Sequence, residues 1–216
     1  MAIMPSFGPG IDTLAQIAAH RGATIAGTLL VLTMAFSLSA LAAVFYPIGK
    51  RFSEVLATGY VIFRGALEGM VYVISGLVWL VLVSLSSQPA SAAMAPIVRV
   101  LQTSQDVIWN QLVSMPFGVG AVMFYVLLHR ARLLPSWILV WGYVSVALMV
   151  AANLTQLLGL GNIDFVMASL LMQEMVLAGW LIAKGFNPDA LAQGSSRTEN
   201  PELAPMRSTL QAAPAA

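Results

Sequence analysis

The sequence contains no cysteine and little charge. Without cysteine, disulfides, thiolate chemistry and cysteine-ligated zinc or iron–sulfur clusters are excluded. Only 9% of the 216 residues are charged, whereas soluble proteins average about 25%. The net charge of +1 provides no basic stripe, so we expect no nucleic-acid partner. Two histidines remain as nitrogen ligands for a metal, and they fall on opposite sides of the topology predicted below.

Hydrophobic residues dominate instead, at 59% of the chain with a mean hydropathy of +0.84. Five apolar stretches approach or exceed the roughly 20 helical residues that cross a bilayer. They cover residues 23–46, 56–85, 107–128, 135–160 and 163–183. The sequence therefore predicts an all-α fold, a polytopic transmembrane helical bundle over residues 23–186. We expect residues 86–106 to form a loop with a short surface helix, and Pro116 to kink the third span.

The orientation of the bundle follows from the basic residues near the ends of the spans. Most follow the first, third or fifth span: Lys50, Arg51, Arg130, Arg132, Lys184, Arg197 and Arg207. The positive-inside rule places them in the cytoplasm, with residues 1–22 outside and the C-terminus inside. Residues 187–216 have no hydrophobic period, and their composition predicts a disordered cytoplasmic tail.

The first apolar stretch also fits a second interpretation. Ala40, Leu41 and Ala42 form an A-x-A pattern after an apolar run, which is typical of a cleaved signal peptide. Cleavage there would export Lys50 and Arg51, against the charge rule. We therefore expect a permanent transmembrane helix.

Ionisable residues at membrane depth are the candidate functional site. At a rise of 1.5 Å per residue, Glu68 and Glu174 lie near the bilayer midplane, and Arg64 is one turn from Glu68 on the same face. Burying such charges costs at least about 2.5–3.5 kcal/mol each. We hypothesise that Glu68 and Glu174 face each other and share Arg64, and that a proton neutralises the surplus acid. In the structural alternative, Glu174 or Gln173 completes an Arg64–Glu68 pair that only holds the geometry of the bundle.

Weaker polar features accompany this cluster. Four amides could line an outward-facing vestibule or form interhelical hydrogen bonds: Asn110, Gln111, Asn153 and Gln156. Gly65 and Gly69 form a G-x-x-x-G pair, which serves ordinary packing or presses the second and fifth spans together. No catalytic triad, phosphate loop or metal motif is present, so we predict no catalytic residue, metal or cofactor.

The residues around the charged cluster resemble a known family. The shared blocks are Phe45-Tyr46-Pro47, Gly59-Tyr60, Phe63-Arg64, Glu68, Met123-Phe124-Tyr125, Leu127-Leu128, Pro135, Trp137, Trp141-Gly142, Gln173-Glu174-Met175 and residues 180–188. In this order they resemble the bacterial multi-pass membrane family catalogued as domain-of-unknown-function family 4386, over residues 25–191. The resemblance implies a protein of the bacterial inner membrane with no assigned activity. Family members look as if they carry one more helix before residues 11–21, which would give six spans if the chain starts upstream.

Three classes of function remain open from the sequence. The first is binding of a small lipophilic or amine-bearing molecule at the midplane cluster, including proton-coupled transport, for which a five-helix chain would have to form a homo-oligomer. The second is a structural or accessory subunit in which the cluster only fixes helix packing. The third is an intramembrane enzyme with Glu174 as base, which lacks a nucleophile or metal and is disfavoured.

Overall fold

The computed structural model describes residues 12–89, 91–160 and 165–199, and all regular secondary structure in these ranges is helical. The α-helices are α1 (Asp12–Ala19), α2 (Arg21–Gly49), α3 (Glu54–Tyr60), α4 (Glu68–Leu85), α5 (Ala95–Val107), α6 (Ser114–Arg130), α7 (Ser136–Leu157), α8 (Phe165–Ala183) and α9 (Pro188–Glu199). Two π-helical turns, π1 (Val61–Leu67) and π2 (Ile108–Leu112), and a short 3₁₀ turn (Ala92–Met94) complete the set. The prediction of an all-α fold is confirmed.

Four helices are long and apolar enough to cross a membrane: Arg21–Gly49, Glu54–Leu85, Ala95–Arg130 and Ser136–Leu157. A fifth apolar helix, Met167–Ala183, is shorter. These five segments overlap the five predicted spans, because spans are defined by uninterrupted apolar sequence. The chain thus has the helices of a membrane protein.

The third span differs from its prediction. Residues 95–107, expected to be part of a surface segment, form α5 and continue through π2 into α6. The helix continues because Gln105 on its polar face is buried and hydrogen-bonded to Ser75 of α4. The irregularity lies at π2, where the Val113 N–H donates to the Ile108 carbonyl five residues back. Pro116 follows four residues after π2 ends and has no N–H to donate to the carbonyl of Leu112.

The segment after the last span also differs from its prediction. Residues 188–199, predicted to be disordered, form α9. Pro188 occupies the first helical position, and the Asn187 side-chain oxygen accepts a hydrogen bond from the Asp189 N–H at 3.1 Å. Local capping thus starts a helix that hydrophobic periodicity does not reveal. Residues 200–216 of the predicted tail, and residues 1–11 of the N-terminal segment, lie outside the described residues.

The chain divides into two compact units, residues 1–44 with 60–120 and residues 45–59 with 121–216. In the first unit, α1, α4 and α5 pack around a core of Leu14, Ile17, Leu82, Val83 and Val98. α1 lies in the N-terminal segment, where the sequence predicted only an outside location. Its buried face is apolar, with Leu14 and Ile17 three residues apart, which is helical spacing.

The G-x-x-x-G pair lies in the first unit, on π1 and α4, and the helix packed against it is α2. A Cβ atom on Gly65 would lie 2.9 Å from the Ala42 Cβ atom, and one on Gly69 would lie 2.8 Å from the Ser39 hydroxyl oxygen. The Ser39 hydroxyl donates to the Gly65 carbonyl oxygen at 2.7 Å. Small residues let the backbones approach closely enough for this bond. The pair therefore has a packing function between the first two spans.

In the second unit α7 packs against α8. The indole N–H of Trp141 donates to the Ser169 hydroxyl at 3.1 Å, and the Ser145 and Ser169 hydroxyl oxygens are 3.1 Å apart. Serine is small enough to hold two helices close while bonding across them. This contact fixes the position of α8, which carries Gln173 and Glu174.

Candidate functional site

Arg64 and Glu68 form a buried ion pair in the first unit. Arg64 lies on π1 and Glu68 begins α4, so one helical turn separates them. Nη1 of Arg64 is 3.2 Å from Oε1 and 3.1 Å from Oε2 of Glu68. The Glu68 side chain is 1% exposed and the Arg64 side chain 13%. The contact predicted from their i,i+4 spacing is therefore present, and the two formal charges balance each other.

Further groups surround this pair. The Tyr72 hydroxyl, one turn beyond Glu68, donates to Oε1 at 3.1 Å. The guanidinium carbon of Arg64 lies 4.1 Å from the centre of the Phe117 ring, a cation–π contact. Gly120 lets α6 approach, since a Cβ there would be 3.0 Å from the Arg64 backbone nitrogen. Both oxygens of Glu68 and one face of Arg64 are thus engaged by neighbours.

A line of polar side chains extends this cluster along α4. Ser75, three residues after Tyr72, donates to the Gln105 side-chain oxygen at 2.8 Å, and the Gln105 amide donates back to the Ser75 carbonyl at 2.8 Å. The Trp109 indole N–H donates to the Ser75 hydroxyl at 3.1 Å, and its ring packs on Tyr72. Sequence analysis did not identify Tyr72, Ser75 or Gln105. The spacing of Glu68, Tyr72 and Ser75 by four and three residues was the available signal, since it places them on one helix face.

The backbone geometry at this cluster is unusual. The Glu68 N–H donates to the Phe63 carbonyl, five residues back, where an α-helix would use the residue four back. Such π-turns are rare and are frequent at functional sites. Here the π-turn contains Arg64 and ends just before Glu68, so it sets the direction in which the Arg64 side chain projects from the helix.

Gln173 is bonded to polar partners within the second unit, so its contribution to the Arg64–Glu68 cluster stays a prediction. Its side chain is fully buried, its oxygen accepts a hydrogen bond from the Tyr125 hydroxyl at 2.9 Å, and its amide donates to the Ile138 carbonyl at 3.3 Å. Gly142 makes room for both groups, because a Cβ there would be 2.7 Å from the Tyr125 ring. Gln173 therefore joins α6, α7 and α8 within its unit.

Glu174 is half-buried on α8, next to Gln173. It belongs to the second unit, whereas Arg64 and Glu68 belong to the first. The facing arrangement of Glu68 and Glu174 therefore stays a prediction.

The four vestibule amides are divided between the units. Asn110 is exposed and Gln111 half-buried on π2 of the first unit, and Asn153 and Gln156 are half-buried on α7 of the second. Within the described part of the chain, the side-chain nitrogen of Asn153 is buried without a hydrogen-bond partner. A vestibule formed by all four stays a prediction.

A groove lies beside the ion pair on the first unit. Its volume is about 390 Å³, and its walls come from π1 with α4 on one side and π2 with α6 on the other. The lining is apolar: Phe63, Leu67, Met70, Val71, Ile74, Leu112, Met115, Pro116 and Val119. Neither Arg64 nor Glu68 lines it, so a molecule in this groove would meet hydrocarbon and no charge.

The described residues contain no group of three histidine or acidic side chains that could hold a metal ion. At the ion pair, the carboxylate accepts hydrogen bonds from a guanidinium and a phenol, which stabilise it without presenting it to a ligand. Within the described residues, the Arg64 and Glu68 charges therefore neutralise each other.

A family model described as "Domain of unknown function (DUF4386)" matches residues 2–185. No curated protein and no solved structure matches the chain. The family match covers every predicted site residue, including the ion pair and Gln173.

Proposed function

The chain belongs to the DUF4386 family of unknown function, and on that premise we propose that it is a structural or accessory membrane component in which the Arg64–Glu68 pair fixes helix packing. The observation that carries this proposal is the burial of Glu68 and its bonding to both Arg64 and Tyr72. A carboxylate that is 1% exposed and bonded to Arg64 and Tyr72 has little capacity left for a ligand.

The energetic cost of separating a buried ion pair also supports a packing role. An isolated charge at membrane depth is expensive, whereas a pair one turn apart can insert as a nearly neutral unit. An amine ligand would have to displace Arg64 from Glu68 and leave a guanidinium buried without its counter-charge. The pair therefore favours a single packing geometry over exchange with a ligand.

The surrounding contacts explain what the pair would hold in place. Arg64 contacts Phe117 and the backbone near Gly120 on α6, and Tyr72 contacts Trp109 on π2. Through these side chains, the ion pair joins the second and third spans of the first unit. An accessory role requires such a rigid framework and no reactive group.

Co-purifying molecules test this proposal. Wild-type protein and the Glu68→Gln and Tyr72→Phe variants would be purified in detergent at matched yield and compared by untargeted mass spectrometry. We expect the same set of small molecules and lipids in all three, with lower stability in Glu68→Gln. A species present with wild type and lost in both variants would place a ligand at the pair and contradict the proposal.

Binding of a small lipophilic molecule is a second candidate, favoured by the groove of Phe63, Leu67, Met115 and their neighbours. Its apolar walls suit an uncharged hydrocarbon, so this candidate excludes an amine and needs no proton coupling. Met115→Trp would fill the groove because Met115 is 69% exposed at its wall. Loss of a co-purified lipophilic species in Met115→Trp but not in Glu68→Gln would support this candidate.

A further inference from the structure

A polar pocket of about 400 Å³ opens in the second unit, where α6 ends and α9 begins. Arg130 and Arg132 line it together with Asn187, Asp189 and the Phe52 ring. Both arginines are exposed, and neither forms an ion pair with any residue that the structure describes. Two guanidinium groups against one carboxylate leave the pocket with an excess of positive charge.

The backbone at Arg132 adopts a conformation that is unusual for its residue type. Its φ is +51°, and no other non-glycine residue in the described ranges has a positive φ. The Leu133 N–H donates to the Leu128 carbonyl, and the Arg132 N–H donates to that of His129, which is the Schellman arrangement that ends a helix. Glycine normally occupies this position. An arginine held there points to a use for its side chain, because strained backbone clusters at functional sites.

Asn187 fixes the geometry of this pocket. Its backbone N–H donates to the Leu133 carbonyl at 3.0 Å, and its side-chain amide donates to the Arg132 carbonyl at 3.4 Å. Its side-chain oxygen accepts from the Asp189 N–H. The start of α9 is thereby tied to the turn that carries both arginines, so the pocket is built by residues from two separate segments.

Aromatic and basic side chains mark the depth of this pocket in the membrane. Trp137 in the first turn of α7 and Trp180 in the last turn of α8 have ring centres 6.2 Å apart. Lys184 lies 4.6 Å above the Trp180 ring, and Lys50 lies 5.7 Å above the Tyr46 ring. Tryptophan, tyrosine and lysine concentrate at the level of lipid headgroups. Arg130 ends α6 and Arg132 follows it, shortly before Trp137 in the first turn of α7, so these residues share one end of the two helices.

We propose that this pocket binds the phosphate group of an anionic phospholipid between Arg130 and Arg132. Guanidinium groups donate paired hydrogen bonds to phosphate oxygens, and basic pockets on the cytoplasmic side of membrane helices hold anionic headgroups. The positive-inside rule predicts the cytoplasmic side for this end of the chain. The location at headgroup depth favours a lipid over a soluble phosphate. Asp189 confines the phosphate to the arginine side of the pocket by repulsion.

Lipid binding to the full chain in neutral detergent tests the proposal, with bound lipid counted by native mass spectrometry. The probes are phosphatidylglycerol, phosphatidylcholine and inorganic phosphate. The variants are Arg130→Gln and Arg132→Gly, the latter because glycine accepts the positive φ and keeps the turn. Lys50→Gln is the matched control, since it removes one positive charge from the same unit outside the pocket.

We expect phosphatidylglycerol to bind more tightly than phosphatidylcholine, and each pocket variant to weaken phosphatidylglycerol binding about tenfold, the effect of losing one charge-assisted hydrogen bond. Lys50→Gln should change it less than about twofold, as expected for an exposed charge. Equal losses in Lys50→Gln and Arg132→Gly would show diffuse attraction and overturn the proposal. Equal binding of the two lipids would also overturn it, and so would full competition by inorganic phosphate at the same concentration.

Discussion

Replacing one partner of the Arg64–Glu68 pair should destabilise the protein more than replacing both. Glu68→Gln leaves the Arg64 guanidinium, 13% exposed, without its counter-charge. Breaking a buried pair in this way costs about 3–5 kcal/mol, whereas replacing both partners with neutral side chains is often close to neutral. We therefore expect Glu68→Gln to lower the free energy of unfolding by about 3 kcal/mol, the lower end of the range, because the glutamine oxygen can still accept one bond from Arg64.

The double variant Arg64→Met with Glu68→Gln tests whether the two side chains are energetically coupled. Neither charge remains, so its loss of stability should be smaller than the sum of the two single losses by about 2 kcal/mol or more. Unfolding by titration with sodium dodecyl sulfate in mixed micelles, followed by tryptophan fluorescence, measures wild type, the single variants Arg64→Met and Glu68→Gln, and the double variant. Trp79 and Trp109 lie in the same unit as the pair and report on it.

Glu54→Gln is the matched control, since Glu54 is exposed in the first turn of α3. It makes the same chemical change and should cost less than about 1 kcal/mol through the helix dipole. Strict additivity of the Arg64 and Glu68 losses would show that the side chains are not coupled and would refute the packing role. A loss in Glu68→Gln no larger than in Glu54→Gln would refute it as well.

Three further variants test other contacts by the same unfolding titration. Gly65→Val should lower the free energy of unfolding by about 1–3 kcal/mol, because a side chain there meets α2. Gly179→Ala is the control and should be neutral or stabilising, since no described atom lies within 4 Å of a Cβ atom added there. Equal losses of stability in the two variants would contradict the close approach of α2 to Gly65. Tyr125→Phe should cost about 1–3 kcal/mol by leaving the buried Gln173 oxygen without its donor, and an unchanged midpoint would count against that bond. Arg132→Gly should raise the free energy of unfolding by up to about 1 kcal/mol. The positive φ of Arg132 costs about 1–2 kcal/mol in a non-glycine residue, and removing this cost outweighs the entropy that glycine adds to the unfolded chain. Destabilisation would show that the arginine side chain contributes contacts to the fold.

The candidate site was partly predictable from sequence. The Arg64–Glu68 contact follows from a spacing of four residues on one helix, which brings the side chains together whatever else the helix touches. Gln173 was predicted as part of the charged cluster, and its hydrogen-bond partner Tyr125 is 48 residues away on another helix. A hydrogen bond between residues so far apart in the sequence depends on how three helices pack. The hydrophobic periodicity of a single helix does not predict it.

Local irregularities were the least predictable features. π2 interrupts the third span just before Pro116, the position at which the sequence predicts a kink because proline has no N–H to donate. α9 forms where the composition predicted disorder. Capping by Asn187 and the hydrogen bonds of Asn187 to the turn at Arg132 and Leu133 stabilise it. Both depend on a few specific hydrogen bonds, which average composition does not register.

The sequence by itself determined that the protein is helical and has apolar segments long enough for a membrane, because these properties depend only on composition and on the 1.5 Å rise of a helix. It also determined the Arg64–Glu68 contact within one turn. Only the tertiary structure decided that Phe117 packs on Arg64, that Gln173 bonds to Tyr125, and that Arg130 and Arg132 share a pocket with Asn187. Those arrangements join segments far apart in the chain, and their distances are set by side-chain packing between helices.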